Sequence, residues 1–423
     1  IRARFEALPG APRLGEALAG GSEAYLVGGA VRDLLRGEVP FDLDVVLAGD
    51  RDLAGTVRRL GGTLIEDRIH DRFGTATLAS APGRAGGAGG SGRIDLALAR
   101  AERYTQPGTL PVVAPAGIEE DLRRRDFTVN AIALGISGPR RGELIAVEHA
   151  LDDLCAGQLR VLHEASFLDD PTRLLRLVRY ASRLGFFVEP HTERLAREAV
   201  AAGALDTVSG PRIGTELAHL SAEPDPVAAY ELMAMLRLDA AIGPGFGISD
   251  PEVARRAAAL LQSDAPPGRS PADAALATAL LTVPEPARRP LLDRLGVDAG
   301  TRRGVLAAAR DATALAATVP PDGPPSQLLA MVPADAPVTI ALAAALADPP
   351  VAQRLGRWQR EWSRIELEMD GTDLISAGVP SGPLVGAALR AALGARLDGR
   401  APTRDDQLAV ALGVARGTRD SGH

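Results

Sequence analysis

The sequence predicts an α/β head followed by a helical remainder, on three observations. Up to about residue 150, short apolar runs that alternate with period two trade places with runs of helical period. From about residue 151 onward strand signals nearly vanish, and alanine- and leucine-rich stretches punctuated by proline and glycine take over. Between the first strand and the first helix sits a pair of glycines, Gly28 and Gly29, where backbone N–H groups and a helix N-terminus can approach an anion with no Cβ in the way.

Taken in order, 24–27 reads as a short buried strand, and Val31, Leu34 and Leu35 with Gly37 behind them read as a helix over 30–36. The next strand, 41–47, places Phe41, Leu43, Val45 and Leu47 on one face and Asp42 and Asp44 on the other. Both carboxylates then project to the same side. Hard oxygen ligands held this way suit Mg²⁺, and two such ions roughly 3.5–4 Å apart can serve an attacking hydroxyl and a departing pyrophosphate. A helix is expected over 53–60, strands over 75–78 and 94–98, a helix over 129–134 and a further strand over 144–147. The Gly/Ala-rich run 81–92 lies between two of these strands and reads as a hairpin extension. Beyond 151 the chain is a string of helices with breaks at 266–268, 320–325 and 380–383, and no fixed-period repeat is visible.

Composition removes several function classes. The 423 residues, 46% of them hydrophobic, indicate a soluble globular protein of two or more domains. A formal net charge of −7 argues against indiscriminate nucleic-acid binding, so any RNA site must be a local basic patch. All 47 basic residues are arginine, which excludes a Walker-type P-loop and Schiff-base chemistry, since both need lysine. The single cysteine, Cys155, allows neither an intramolecular disulfide nor a cysteine zinc site. Six scattered histidines, with His70-Asp71 lacking partners, give no phosphohydrolase pattern of the His-Asp type. No signal peptide or stop-transfer segment is visible, although the sequence starts at Ile1 rather than Met, and a reducing cytoplasm is the expected location. The apolar stretch 328–347 is broken by Pro333, Asp335 and Pro337 and is expected to form core helices rather than a membrane span.

Two further segments concentrate charge. Asp121-Leu122-Arg123-Arg124-Arg125-Asp126-Phe127-Thr128-Val129-Asn130 is either a charged loop ahead of a helix capped by Thr128 or a clamp for sugar and phosphate. Asp169-Asp170-Pro171-Thr172-Arg173 opens a helix that Gly185 closes, with Arg173, Arg176, Arg179 and Arg183 on one face and Leu174, Leu177, Val178, Ala181 and Leu184 on the other. Arg176, Arg179 and Arg183 have no acid three or four residues away and are expected to seek an external anion, the alternative being a solvated basic stripe. Asp170 and Arg173 together form an acceptor and donor pair that matches the amino group and ring nitrogen of cytosine or adenine.

The ordered set Leu26-Val27-Gly28-Gly29-Ala30-Val31-Arg32-Asp33, Asp42-x-Asp44, Arg124-Arg125-Asp126-Phe127 and Asp170-x-x-Arg173-x-x-Arg176-x-x-Arg179 resembles the signature motifs of class II tRNA nucleotidyltransferases and bacterial poly(A) polymerases. Ser209-Gly210-Pro211-Arg212-Ile213 with Glu216 resembles the helical element that follows, and Gly371-Thr372-Asp373-Leu374 with Gly378, Pro380, Gly382, Pro383 and Gly386 resembles the tail of some members. The resemblance implies a polymerase-β-like α/β nucleotidyltransferase head (1–150), then an all-α neck for base recognition (151–225) and an RNA-binding helical body and tail (226–423). It implies Mg²⁺ as cofactor, CTP and ATP as donors and the tRNA 3′ end as acceptor. Asp42 and Asp44 would hold the metals, and Gly28, Gly29 and Arg32 would meet the nucleotide. Arg124 would engage sugar or phosphate, Asp170 and Arg173 would read the base, and Arg176 and Arg179 would complete the pocket. Asp95 is a candidate third acid, with a salt bridge to an arginine as its alternative; Arg125, Asp126, Asn130 and Arg212 are further candidates within the matching motifs. The glutamate that precedes Asp170 in many members is here Asp169. The Pro- and Gly-containing segment 103–120 is the expected place of a flexible loop. Products open to such a chain are a full CCA end, A alone, CC alone or a poly(A) tail, and a separate alternative is an RNA-binding protein with an inactive head.

Overall fold

The computed structural model describes residues 1–8, 23–48, 53–60, 63–64, 74–79, 93–262, 271–333 and 336–420, together with Ala11, Leu14 and Leu18. The expected extension at 81–92, the His70-Asp71 pair and the break at 266–268 lie outside the described residues. The chain divides into two compact units, Ile1–Ser209 with Leu236–Ala241, and Gly210–Met235 with Ile242–His423.

The first unit is built on a seven-stranded mixed sheet. Its strands are β1 (Glu23–Val27), β2 (Leu43–Ala48), β3 (Thr63–Leu64), β4 (Thr75–Ala79), β5 (Arg93–Leu98), β8 (Ile132–Ser137) and β9 (Leu144–Ala146), in the order β3-β4-β5-β2-β1-β8-β9. β2 and β5 run parallel, and the other neighbours are antiparallel. On one face Leu26, Leu43, Val45, Leu47, Leu96, Ile132 and Leu134 pack with Val31 and Leu34 of α1 (Gly29–Arg36) and Leu53 and Val57 of α2 (Leu53–Leu60). On the other face Tyr25, Val27, Val46 and Ala133 pack with Ile118 and Leu122 of α3 (Ile118–Arg123). Alternation along β2 therefore delivers Asp44 to the α3 side, as period two requires. Phe41, by contrast, is 60% exposed and no part of the core, because the strand begins only at Leu43.

The expected helix over 129–134 is not formed. Thr128–Asn130 is a single 3₁₀ turn, and β8 follows at once, pairing Leu26 with Leu134 and Val27 with Ala133. The run is apolar on both faces, so hydrophobicity alone shows no strand alternation. What alternates is size: Ile132, Leu134 and Ile136 face α1 and α2, while Ala131 and Ala133 face α3.

The segment 103–120, the expected place of a flexible loop, carries a loop over 104–111 between two short strands. β6 (Arg100–Arg103) and β7 (Val112–Pro115) form an antiparallel hairpin, and α3 starts at Ile118. Its tip is tied down where the Gly108 N–H donates to the carbonyls of Leu168 (3.2 Å) and Asp169 (3.3 Å). Gly108 has φ +71°, and a Cβ there would run into the Thr207 backbone, so glycine is required. The basic helix α4 (Thr172–Leu184) ends as the sequence indicates, with Gly185 left-handed at φ 64°.

The second unit is helical among its described residues. The long helix α5 (Ala299–Thr318) packs on α6 (Pro337–Leu346), which is buried almost throughout and also meets Pro251–Gln262. This accounts for the apolar stretch near 328–347, and no described helix is long and apolar enough to cross a membrane. The proline-rich 320–325 segment has few N–H groups to spend on its own carbonyls. The buried Arg354 of α7 (Pro349–Arg360) collects them, donating to Pro320 (2.6 Å), Asp322 (2.7 Å) and Pro324 (3.0 Å). The Gly371–Ser376 helix is capped by Asp370 and tied to the last helix by an Arg404–Asp373 ion pair.

Candidate active site

The sheet register brings the carboxylates together. Asp44 on β2 pairs directly with Asp95 on the parallel strand β5, and laterally paired residues point to the same face. Asp42 stands two residues before Asp44, just ahead of the strand. Asp95 accepts from Thr77 Oγ1 at 2.6 Å and from Arg93 at 3.2 Å, so the arginine salt bridge is formed, while the register keeps Asp95 beside Asp44 as a candidate third acid. Burial pushes the Asp44 carboxyl above the ordinary aspartate range; Arg125 opposes this, while Asp95 and Asp42 add to it. A half-buried carboxylate in the field of two others is a place where a cation relieves repulsion.

The glycine turn is shaped by the same arginine. Gly28 adopts φ 67°, and a Cβ built on it would come within 2.8 Å of Arg125 Nη1. The positive φ demands glycine, and a side chain there would also have to push the Arg125 guanidinium aside. Arg124 and Arg125 leave the C-terminal end of α3 and are held by Asp121, which accepts from Arg124 Nη2 at 2.7 Å and from Arg125 Nη2 at 3.0 Å. Although burial works against ionisation, Arg125 and Arg124 keep the Asp121 carboxyl below its usual range. Arg124 also reaches Glu102 on β6 at 2.9 Å.

A second network orients Arg32, which is only 2% exposed. Its Nε and Nη2 donate to Asp33, and Nη1 donates to Asn130 Oδ1 at 2.6 Å. The Asn130 amide in turn donates to Asp126 at 3.1 Å, and the other Asp126 oxygen accepts from Arg176 Nε at 2.9 Å and Nη2 at 2.5 Å. Burial is outweighed here, and Arg176 with Asn130 holds the Asp126 carboxyl down at about 2. The expectation that Arg176 awaits only an outside anion is thus overturned: its partner lies 50 residues away, where spacing along a helix has no view of it.

Arg173 is 5% exposed and departs from the solvated stripe as well. It donates to Ser166 Oγ (2.7 Å) and to the Arg124 carbonyl (2.8 Å), which fixes α4 against the end of α3. Asp170 accepts from the Thr172 N–H and hydroxyl and so caps α4 from just outside it. Arg183 is exposed near the far end of the helix. Arg212 belongs to the second unit, on helix Gly210–Ser221, whose Ile213 and Leu217 are buried.

Two tyrosines were not anticipated. Arg32, Arg176 and Arg179 all lie over the Tyr180 ring, at 5.7, 5.4 and 4.9 Å from its centre, and Phe127 meets that ring edge-on. The sequence carried a hint, because Tyr180 is four residues from Arg176 on the basic face. Tyr104, at the end of β6, donates to Glu102; burial pushes its phenol up to about 12, with Glu102 and Asp170 adding and Arg173 opposing. Only the hairpin brings it beside Asp170 and Arg173.

The donor set fits a divalent cation of the magnesium kind. Among the described residues no three acidic, histidine or cysteine side chains form a ready-made metal cage. Mg²⁺ does not need one, since it is held by one or two carboxylates with water and substrate phosphate completing its shell.

Residues 24–160 match the family model described as the poly A polymerase head domain. The A-adding tRNA nucleotidyltransferase of Halalkalibacterium halodurans is 41% identical over 211 residues, covering 49% of this chain and 47% of that protein. The CC-adding tRNA nucleotidyltransferase of Deinococcus radiodurans is 40% identical over 212 residues, covering 50% and 53%. The chain therefore spans about half the length of these curated relatives. A solved CCA-adding enzyme, apo form II, is similar across 95% of this chain and 94% of its own, with a TM-score of 0.76 at 29% identity.

Proposed function

We propose, for a chain that belongs to the class II tRNA nucleotidyltransferase and bacterial poly(A) polymerase family, template-independent transfer of CMP and AMP from CTP and ATP to the 3′ end of tRNA. The observation that carries this is the placement of Asp44 beside Asp95, with Asp42 just ahead, on the sheet face that α3 covers and from whose end Arg125 reaches the Gly28 turn.

Asp42 and Asp44 would hold Mg²⁺, which when bound neutralises triphosphate charge and favours ionisation of the attacking hydroxyl. The RNA 3′-oxygen forms a bond to the α-phosphorus as the bond to the departing pyrophosphate breaks. Gly28 and Gly29 leave room for the phosphates at the start of α1, where backbone N–H groups favour an anion. Arg32, held by Asp33 and Asn130, and Arg125, held by Asp121, are positioned before substrate arrives, so little reorganisation is needed when charge develops. Asp170 and Arg173 at the start of α4 offer acceptor and donor to the base edge. Cytosine and adenine match that polarity; uracil and guanine present the reverse.

Two predictions test the activity. On tRNA transcripts ending at the discriminator base, at C and at CC, CTP and ATP together extend each to CCA and then stop. An A-only or CC-only product assigns the specialist activity named for its relatives, an unbounded A tail assigns a poly(A) polymerase, and no extension on any substrate returns the head to an RNA-binding role. In the same assay Arg173→Ala loses about tenfold or more in selectivity among the four nucleotides, with a smaller effect on triphosphate affinity. Unchanged selectivity removes Arg173 from base reading.

A further inference from the structure

The second unit contains a cavity of about 380 Å³ whose walls include Trp358, Gln359, Trp362, Ile340, Leu397 and Arg364. Its volume lies in the roughly 300–1,000 Å³ range of pockets that take small organic groups. Gln359 is 6% exposed, and both the oxygen and the nitrogen of its amide are shut off from solvent with no hydrogen-bond partner. Leaving two such groups unsatisfied is costly, and an apolar side chain of similar size would avoid the cost. Trp358 and Trp362 are the only tryptophans in the chain, and both line this one cavity. Arg357 lies 4.9 Å over the Trp362 ring, and Arg360 ends the same helix.

We propose that this cavity receives one unstacked base of the RNA substrate. Indole rings give a base a stacking surface, the Gln359 amide, closed off in this structure, supplies one donor and one acceptor to its edge once it turns into the cavity, and nearby guanidinium groups, of which Arg357 is also paired with Glu361 at 2.8 Å, suit the attached phosphates. Because the amide can turn, the pocket accepts any base that the RNA leaves unpaired. The site lies outside every motif read for catalysis, and it rests on the reading that the chain acts on RNA.

Both tryptophans report on the cavity, so emission of the full chain, excited at the red edge of indole absorption where RNA is transparent, follows its occupancy directly. Titration with a tRNA transcript lacking its CCA end quenches emission in step with binding measured by gel mobility. Gln359→Leu raises the melting temperature, since it removes the orphaned amide, yet weakens RNA binding about tenfold. Trp362→Ala, at a half-buried position, weakens it likewise and provides a second variant should Gln359→Leu fold poorly. If the transcript shifts in the gel while emission stays constant and both variants bind as the parent does, the cavity holds only buried water or another protein and the inference falls. If the parent binds no tRNA at all, the RNA reading falls with it.

Discussion

Asp44→Asn abolishes nucleotide transfer, with a loss of about 10³-fold or more, and leaves the protein at least as stable as the parent. The first half follows from the carboxylate geometry. Several kcal/mol of charge stabilisation at the reacting phosphate correspond to about three decades in rate, and Asp44 is the member of the set closest to both other acids, beside Asp95 and two residues after Asp42. The second half follows from its ionisation. Burial, with Asp95 and Asp42, raises the folded-state pKa of Asp44 above the ordinary 3.8. A group raised in this way binds more protons folded than unfolded, so its stabilising share is present below 3.8 and is lost as pH climbs through the raised value. At neutral pH the metal-free parent carries that loss and the neutral asparagine does not. Thermal melting in a chelating buffer should therefore show the variant equal to or above the parent at neutral pH, with the difference closing below 3.8. A variant that melts markedly lower would make Asp44 a structural residue; one that keeps its activity would remove it from catalysis. Asp42→Ala should match the loss of transfer.

The parts of this site that were legible in the sequence are those set by local rules. Strand alternation put Asp44 on the face opposite Leu43 and Val45, and the left-handed Gly185 was visible as a helix stop. Asp95 could be suspected from its strand, but its match to Asp44 needs the parallel register of two strands 50 residues apart. β8 was misread because both its faces are buried and only the sizes of Ile132 and Ala133 distinguish them. The hairpin 100–115 was missed for a different reason. Its strands are four residues each and none of those residues is buried, so little hydrophobic pattern marks them, and tertiary bonds from Gly108 to Leu168 and Asp169 fix its tip. Arg176 is the most instructive case: spacing on α4 left it without an acid, and folding supplied Asp126.

That pair yields the second large effect. Asp126→Asn removes the charge facing Arg176 while preserving shape, and breaking one half of a buried pair is costly because the other charge stays behind. With Arg176 still 30% exposed the loss is discounted to about 2–3 kcal/mol, or roughly 5–10 °C in the melting of the first unit. Its pH dependence runs opposite to that of Asp44. The folded pKa of Asp126 is lowered from 3.8 to about 2, so its contribution is complete above 3.8 and is lost as pH falls toward 2. Denaturant midpoints of parent and variant should therefore converge across that interval; a gap that persists unchanged would mean that packing rather than charge was lost. Kinetics separate the two networks. Asp126 holds Asn130, and Asn130 holds Arg32, so loosening Asp126 should raise KM for CTP and ATP together by about tenfold, roughly one hydrogen bond to a charged group. The ratio between the two nucleotides should stay fixed, since Arg173 and Asp170, proposed here to read the base, make none of these bonds. A shift in that ratio would place Asp126 in base selection instead and would move the boundary between the phosphate-holding and base-reading halves of the site.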